Sequence, residues 1–192
     1  IKTSAFEVLL NMIHKEHTFG DLRHAKIATL LKILIGKKYV VSTRKGEKTK
    51  KWYEFILPTD NHKIGQVYKY REATEPDTLI VYISDILPKF FERVFAHLKR
   101  QMENAQTEDL VKYYKQVQKS FSYSLLRLGD QPFITNVIKN CVSRFNDENF
   151  AENMDGDPDI MGVGNGVLVL GRKPYLIEHQ HEYAISKYTK TN

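Results

Sequence analysis

Residues 153–170 read NMDGDPDIMGVGNGVLVL, and this stretch decides the fold because within it an acidic loop becomes a short apolar strand. Asp155, Gly156, Asp157 and Pro158 cannot continue a helix. Proline has no N–H, aspartate side chains compete for backbone donors, and glycine is costly to order. The chain must turn here. Asn165-Gly166 supplies two residues that tolerate positive φ, and at least one is expected to adopt it. Val167 to Leu170 follow as an apolar run too short for a helix. Gly171 to Pro174 makes a second turn and Tyr175, Leu176 and Ile177 return, which predicts a β-hairpin over residues 166–179.

The same stretch suggests three chemistries. Asp155, Asp157 and Asp159 have the opening spacing of a calcium loop, but its sixth position is Ile160 instead of Gly and its twelfth is Gly166 instead of Glu. The glycines at 162, 164 and 166 echo a dinucleotide fingerprint, but a strand follows where the phosphate-binding helix should begin, so a structural turn is the better reading. Asp155 and Asp157 are an Asp-x-Asp pair of the kind that holds magnesium in a primase site. Such pairs need a rigid strand beneath them and these sit in a loop, so a magnesium site is carried only as an alternative.

The run from Asn153 through Gly166-Val167, the hairpin after it, and Glu182-Tyr183-Ala184-Ile185-Ser186 resemble one known module. It lies between primase and ATPase in the poxvirus-type helicase-primases of large nucleocytoplasmic DNA viruses, and is also seen in phage and plasmid primases. Trp52-Tyr53-Glu54-Phe55 is similar to the module's upstream aromatic motif, so the resemblance covers about residues 25–190. Trp52, Tyr53, Phe55, Asn165, Gly166 and Val167 are its structural motif residues here. An Asp usual after Asn-Gly-Val is replaced by Leu168-Val169, and a Trp usual after the aromatic strand by Tyr68 and Tyr70. The resemblance implies a parent that makes primers and unwinds DNA in the host cytoplasm. In that parent this module is a non-catalytic collar before a superfamily 3 helicase domain, self-associating into a ring such as a hexamer. ATP and Mg2+ are then expected in the flanking domains, and no cofactor in this segment.

With 42% hydrophobic and 27% charged residues, 192 residues suffice for a real core, in one domain or two small ones. The chain starts at Ile1 instead of Met and stops at Asn192 without a terminal signal, so a piece of something larger is expected. The single Cys141 lies in a helical pattern, which excludes an intrachain disulfide, suits a reducing intracellular compartment and reads as a small core residue. No apolar stretch approaches membrane-spanning length, so no membrane partner is expected.

Taken in order, Ser4 caps a helix carrying Phe6, Leu9, Leu10 and Ile13, and a second helix runs from about Asp21 through Leu34 to Gly36. Tyr39–Ser42 and Trp52 to Ile56 read as strands joined by a polar turn, and residues 64–71 as a third, with Tyr68 and Tyr70 on one face. Helices followed by a hairpin with a basic tip is a winged-helix-like order. After Glu75-Pro76-Asp77 the chain restarts, and Ser84 or Asp85 is expected to cap a helix with Pro88 in its first turn. Thr107 caps the next helix, Gly129 ends it, and Pro132 opens a third. The expected fold is α+β and mainly helical: a winged-helix-like part over residues 1–72, a three-helix unit within 73–150, and an acidic loop with a C-terminal β-hairpin over 151–192.

Charge is segregated. Lys37, Lys38, Arg44, Lys45, Lys48, Lys50 and Lys51 against Glu47 leave +6, equal to the whole chain's excess, whereas residues 147–159 carry only acidic charge. A basic loop beside aromatics can neutralise phosphates by releasing counterions and let bases stack on Tyr39 or Tyr53, so these seven cations are the candidate DNA contacts, on a single-stranded or forked substrate. The plainer alternative is a solubilising turn whose aromatics fill the core. Lys112, Lys115, Lys119 and Arg127 could form a second basic face, although helical lysines are ordinarily just solvated. His14 with His17, or His179 with His181, lack a third ligand for a metal. No phosphate loop or nucleophile motif is present, so a non-catalytic module is expected. A free-standing winged-helix DNA-binding protein is the competing reading.

Overall fold

The computed structural model describes residues 23–56, 69–163, 166–178 and 180–187. The expected helix at Ser4, the His14/His17 pair, Tyr68, Asn165 and His179 lie outside these residues. The fold is mixed α+β with two small antiparallel sheets, and the chain separates into two compact units, each assembled from two stretches. One comprises the described part of Ile1–Leu34 with Asp77–Arg144, the other Ile35–Pro76 with the described part of Phe145–Asn192. The expected segments 1–72, 73–150 and 151–192 were contiguous.

The first unit is helical. Helix α1, His24–Ile35, buries Ile27, Leu30 and Leu31 at helical spacing and stops one residue before Gly36. Helix α2, Asp77–Val81, runs without a break through a π-helical turn, Tyr82–Ile86, into α3, Leu87–Glu103. The expected cap at Ser84 or Asp85 is therefore wrong. Asp77 opens the helix with its carboxylate in the first turn, and the Leu87 N–H reaches back five residues to the Tyr82 carbonyl. Ser84 donates instead to Asp85 Oδ1 at 2.8 Å. Leu79, Ile83, Leu87, Phe91, Val94 and Leu98 form the buried stripe across the π-turn. Helix α4, Glu108–Arg127, is capped as expected by Thr107, whose hydroxyl accepts from the Leu110 N–H at 3.3 Å. Helix α5, Gln131–Arg144, buries Phe133, Ile134, Val137 and Cys141.

The second unit is built on the aromatic strand. β1 (Tyr39–Ser42), β2 (Lys51–Ile56) and β3 (Lys69–Ala73) form an antiparallel sheet with β2 in the centre. One face packs Trp52 against Tyr39 and Phe145, with centroids 6.4 and 6.0 Å away. On the other, Phe150 meets Tyr53 at 5.4 Å and Tyr70 at 4.7 Å. Edge-on and tilted rings at these distances each add about 0.5–1.5 kcal/mol beyond area burial. Phe145 and Phe150 are positioned because β1 accepts the chain after α5. The Val41 N–H donates to the Phe145 carbonyl at 2.9 Å, and the Asp147 N–H donates back to the Val41 carbonyl at 2.9 Å. The fully buried Ser42 hydroxyl accepts from the Ala151 N–H at 3.1 Å, in the short helix α6, Phe150–Asn153.

β4 (Ile160–Val163), β5 (Gly166–Val169) and β6 (Tyr175–Ile177) form the second sheet. The expected hairpin is present as β5 and β6, and β4 is an additional strand. Gly162 sits in β4 opposite Val167, and Gly166 in β5 opposite Val163, so these two glycines belong to strands and not to the turn expected of them. Nor does Gly166 have positive φ; among the described glycines only Gly46 does. Space requires glycine here: a Cβ on Gly166 would lie 2.5 Å from the Ile177 carbonyl oxygen and 2.9 Å from Leu176 Cδ1.

Candidate nucleic-acid interface

The basic turn is sorted by the sheet into paired and unpaired cations. β2 carries Glu54 inside the aromatic strand and β3 carries Glu72; Glu72 takes its partners from the turn and the start of β2, Glu54 from Lys38 before β1 and from Arg71 of β3. Arg44 pairs with Glu72 at 2.9 Å, and Lys51 bridges Glu72 at 2.7 Å and Glu47 at 3.1 Å. The hydrogen bond to Glu72, and then that to Glu47, raise the Lys51 pKa and keep its ammonium charged. Glu54, mostly buried, binds Arg71 at 3.1 Å and Lys38 at 3.4 Å. Lys50 donates to Asn146 Oδ1 at 2.7 Å. Lys37, Lys45 and Lys48 are exposed and have no carboxylate partner among the described residues. Of the seven predicted contacts, these three present their charge undivided to solvent.

The aromatic part of the expectation is overturned. Tyr39 and Tyr53 are 1% and 0% exposed, and Trp52 is 5% exposed, so no base can stack on them. They fill both faces of a central strand, and Phe55, half-buried, packs on Tyr70 with centroids 5.2 Å apart. Burial, and then the charge of Glu72, raise the pKa of Tyr53; burial, then Glu182, push Tyr70 up to about 12. Val167, also a motif residue, is 1% exposed beside Gly166.

The acidic loop has a structural task. Asp155 stands at φ 58°, in the left-handed region. Its carboxylate there accepts from the Ser186 N–H at 2.7 Å, the Lys187 N–H at 3.2 Å and the Ser186 hydroxyl. In return the Asp155 N–H donates to the Ala184 carbonyl at 3.0 Å, and Ile185 accepts from the Tyr70 N–H of β3 at 2.8 Å. The acidic run 153–157 and the segment 182–186, both of which carry the resemblance, thus meet in one clasp that also seals an edge of the first sheet. Asp157 closes an Asx turn on the Asp159 N–H at 2.9 Å. The two carboxylates line a cavity of about 140 Å³ with Met161, Tyr183 and Lys187, and both Asp155 oxygens there accept hydrogen bonds from Ser186. Among the described residues no three His, Cys, Asp or Glu side chains gather as a cation site. His181 pairs through Nδ1 with Glu182 at 2.9 Å. Cys141 is buried, and burial pushes its thiol up to about 12. No helix of the described residues is long and apolar enough to cross a membrane.

Sequence reasoning missed the pairing roles of Glu54, Glu72 and Ser186. The signal for the first was present: a glutamate amid Trp52, Tyr53 and Phe55 must be paired if it is to be buried. Nothing local announced that Ser186 answers Asp155.

Comparison with known proteins agrees with the resemblance drawn from these motifs. The family described as "D5 N terminal like" matches residues 28–192. The African swine fever virus protein named "Putative primase C962R", from isolate Pig/Kenya/KEN-50/1950, is 30% identical over 190 residues, 98% of this chain. The same protein from isolate Warthog/Namibia/Wart80/1980 is also 30% identical over 190 residues. The chain spans about one-fifth of the length of these relatives, 19% in each case.

Proposed function

The chain belongs to the family described as D5 N terminal like, and from that premise we propose that it is a non-catalytic DNA-contact and collar module of a viral primase-helicase acting in DNA replication. The observation that carries the DNA contact is the sorting of the basic turn. Arg44, Lys51 and Lys38 are held by glutamates, which leaves Lys45 and Lys48 of the turn, and Lys37 before the other end of β1, exposed without a carboxylate partner among the described residues, while Lys50 donates to Asn146. Phosphate contacts need such cations and no base-specific geometry; the single-stranded or forked substrate is proposed from the resemblance to helicase-primases. In this reading the module precedes an ATP-dependent superfamily 3 helicase domain, self-associates into a ring such as a hexamer, and works at the viral replication site in the host cytoplasm. ATP and Mg2+ act in the flanking domains. Support comes from the family membership, the primase name carried by the relatives, and the engagement of Asp155 in the clasp.

A second reading, a free-standing winged-helix protein that binds duplex DNA, draws on α1 followed directly by the antiparallel sheet β1–β2–β3. Fluorescence anisotropy with single-stranded, forked and duplex oligonucleotides, run beside gel filtration, separates the two. A collar prefers the strand or fork and assembles into a ring, whereas duplex preference by a monomer or dimer supports the alternative. Absence of binding to all three substrates overturns both.

A further inference from the structure

Helix α4 carries a second cationic surface, on the helical unit, whose charges are left open. At 100° per residue, positions 112, 115, 119, 123 and 126 fall within an arc of about 80° and span about 21 Å of axis. Lys112, Lys115, Lys119, Tyr123 and Leu126 occupy them, and all are exposed, Tyr123 by 48% and Leu126 by 78%. The opposite side of the helix buries Val117, Ser124 and Leu128, so the stripe faces outward by construction. None of the three lysines has a carboxylate partner among the described residues, in contrast to Lys38, Arg44 and Lys51 on the sheet. Glu108 and Asp109 are confined to the first turn. At the other end Arg127 steadies the aromatic ring: Nη1 donates to the Tyr123 hydroxyl at 3.4 Å, and the guanidinium lies 5.4 Å from the Tyr123 centroid and 4.8 Å from that of Phe133.

From this arrangement we infer that the outer face of α4 binds the sugar-phosphate backbone of a single nucleic-acid strand, with Tyr123 as a platform for an unstacked base. The lysines rise about 4.5 and 6 Å apart along the helix, close enough to follow successive phosphates of an extended strand. A ring already oriented by Arg127 loses little freedom when a base lies against it, and such stacking accepts any base. A duplex offers no free base to Tyr123, which commits the surface to single strands. The inference rests on the proposed DNA-contact function and assigns a second site to it.

The test uses the 192-residue chain, an oligothymidylate probe and a salt series from 50 to 200 mM. Each lysine contributes about 0.7 to the slope of log affinity against log salt on a single strand, so Lys112→Gln/Lys115→Gln/Lys119→Gln should flatten it by about 2. Over this salt range the wild type should then lose roughly 20-fold more affinity than the variant does. Tyr123→Ala should weaken oligothymidylate binding while leaving duplex binding unchanged. Unchanged melting of the variants shows that they fold. A wild-type slope in the triple variant, with the slope still lowered by Lys37→Gln/Lys45→Gln/Lys48→Gln, overturns the α4 site and leaves the proposed function standing. A wild type that binds no oligonucleotide overturns both. Equal competition by polyglutamate of matched charge also overturns the assignment, in favour of an acidic protein surface.

Discussion

Gly166→Ala tests the packing of the second sheet at its tightest point. The added Cβ would lie 2.5 Å from the Ile177 carbonyl oxygen, which is backbone and cannot swing aside, and 2.9 Å from Leu176 Cδ1, which can. The strands must separate by several tenths of an ångström, and overpacking of this kind costs about 1–3 kcal/mol. With a urea dependence near 2 kcal/mol/M, the midpoint should fall by about 1 M. The readout is built in, because Trp52 is the chain's single tryptophan and lies in the same unit. Gly171→Ala is the control: its Cβ would meet nothing within 4 Å and its φ is not positive, so the variant should be neutral or gain up to about 1 kcal/mol. If Gly166→Ala unfolds at the wild-type midpoint, the close approach of β5 and β6 is wrong.

Three further outcomes follow from the contacts described. Asp155→Ala removes the acceptor of two backbone N–H groups and one hydroxyl and should cost about 1–3 kcal/mol; Asp155→Asn, which keeps one oxygen, should recover part of that, as urea unfolding will show. Burial raises the Tyr70 hydroxyl from 10.0 to about 12, so its contribution is fully present below pH 10 and is lost as pH climbs from 10 to 12. Unfolding free energies measured between pH 9 and 12 should therefore fall less steeply in Tyr70→Phe than in the wild type. Cys141, buried and pushed up to about 12, should resist a thiol reagent in the native protein and react only on unfolding. Rapid native labelling would contradict the burial of α5.

Local chemistry was legible where period and punctuation agreed. Thr107 announced α4, Gly36 the end of α1, and Gly171 to Pro174 the turn between β5 and β6. The start of α2 was not, because Leu79 to Ile83 suits a strand as well as a helix, and nothing short-range reveals that a π-turn carries the helix past Ser84. β4 was hidden because its pattern is broken by Gly162, which only pairing with Val167 makes strand-like. The candidate interface was half legible. The cations stand in the text, but which of them are free depends on Glu72, brought beside Lys51 by strand register, and on Asn146, far along the chain from Lys50. The aromatics misled for a related reason: Tyr39 and Tyr53 look available until the chain after α5 returns with Phe145 and Phe150 to cover them.

Whether the exposed lysines flanking β1 contact DNA is decided by the salt dependence of single-strand binding in Lys37→Gln/Lys45→Gln/Lys48→Gln. The triple variant should fold normally, bind more weakly at low salt and show a slope about 2 shallower than wild type. Wild-type affinity with a wild-type slope would contradict that contact and leave the basic turn a solubilising surface.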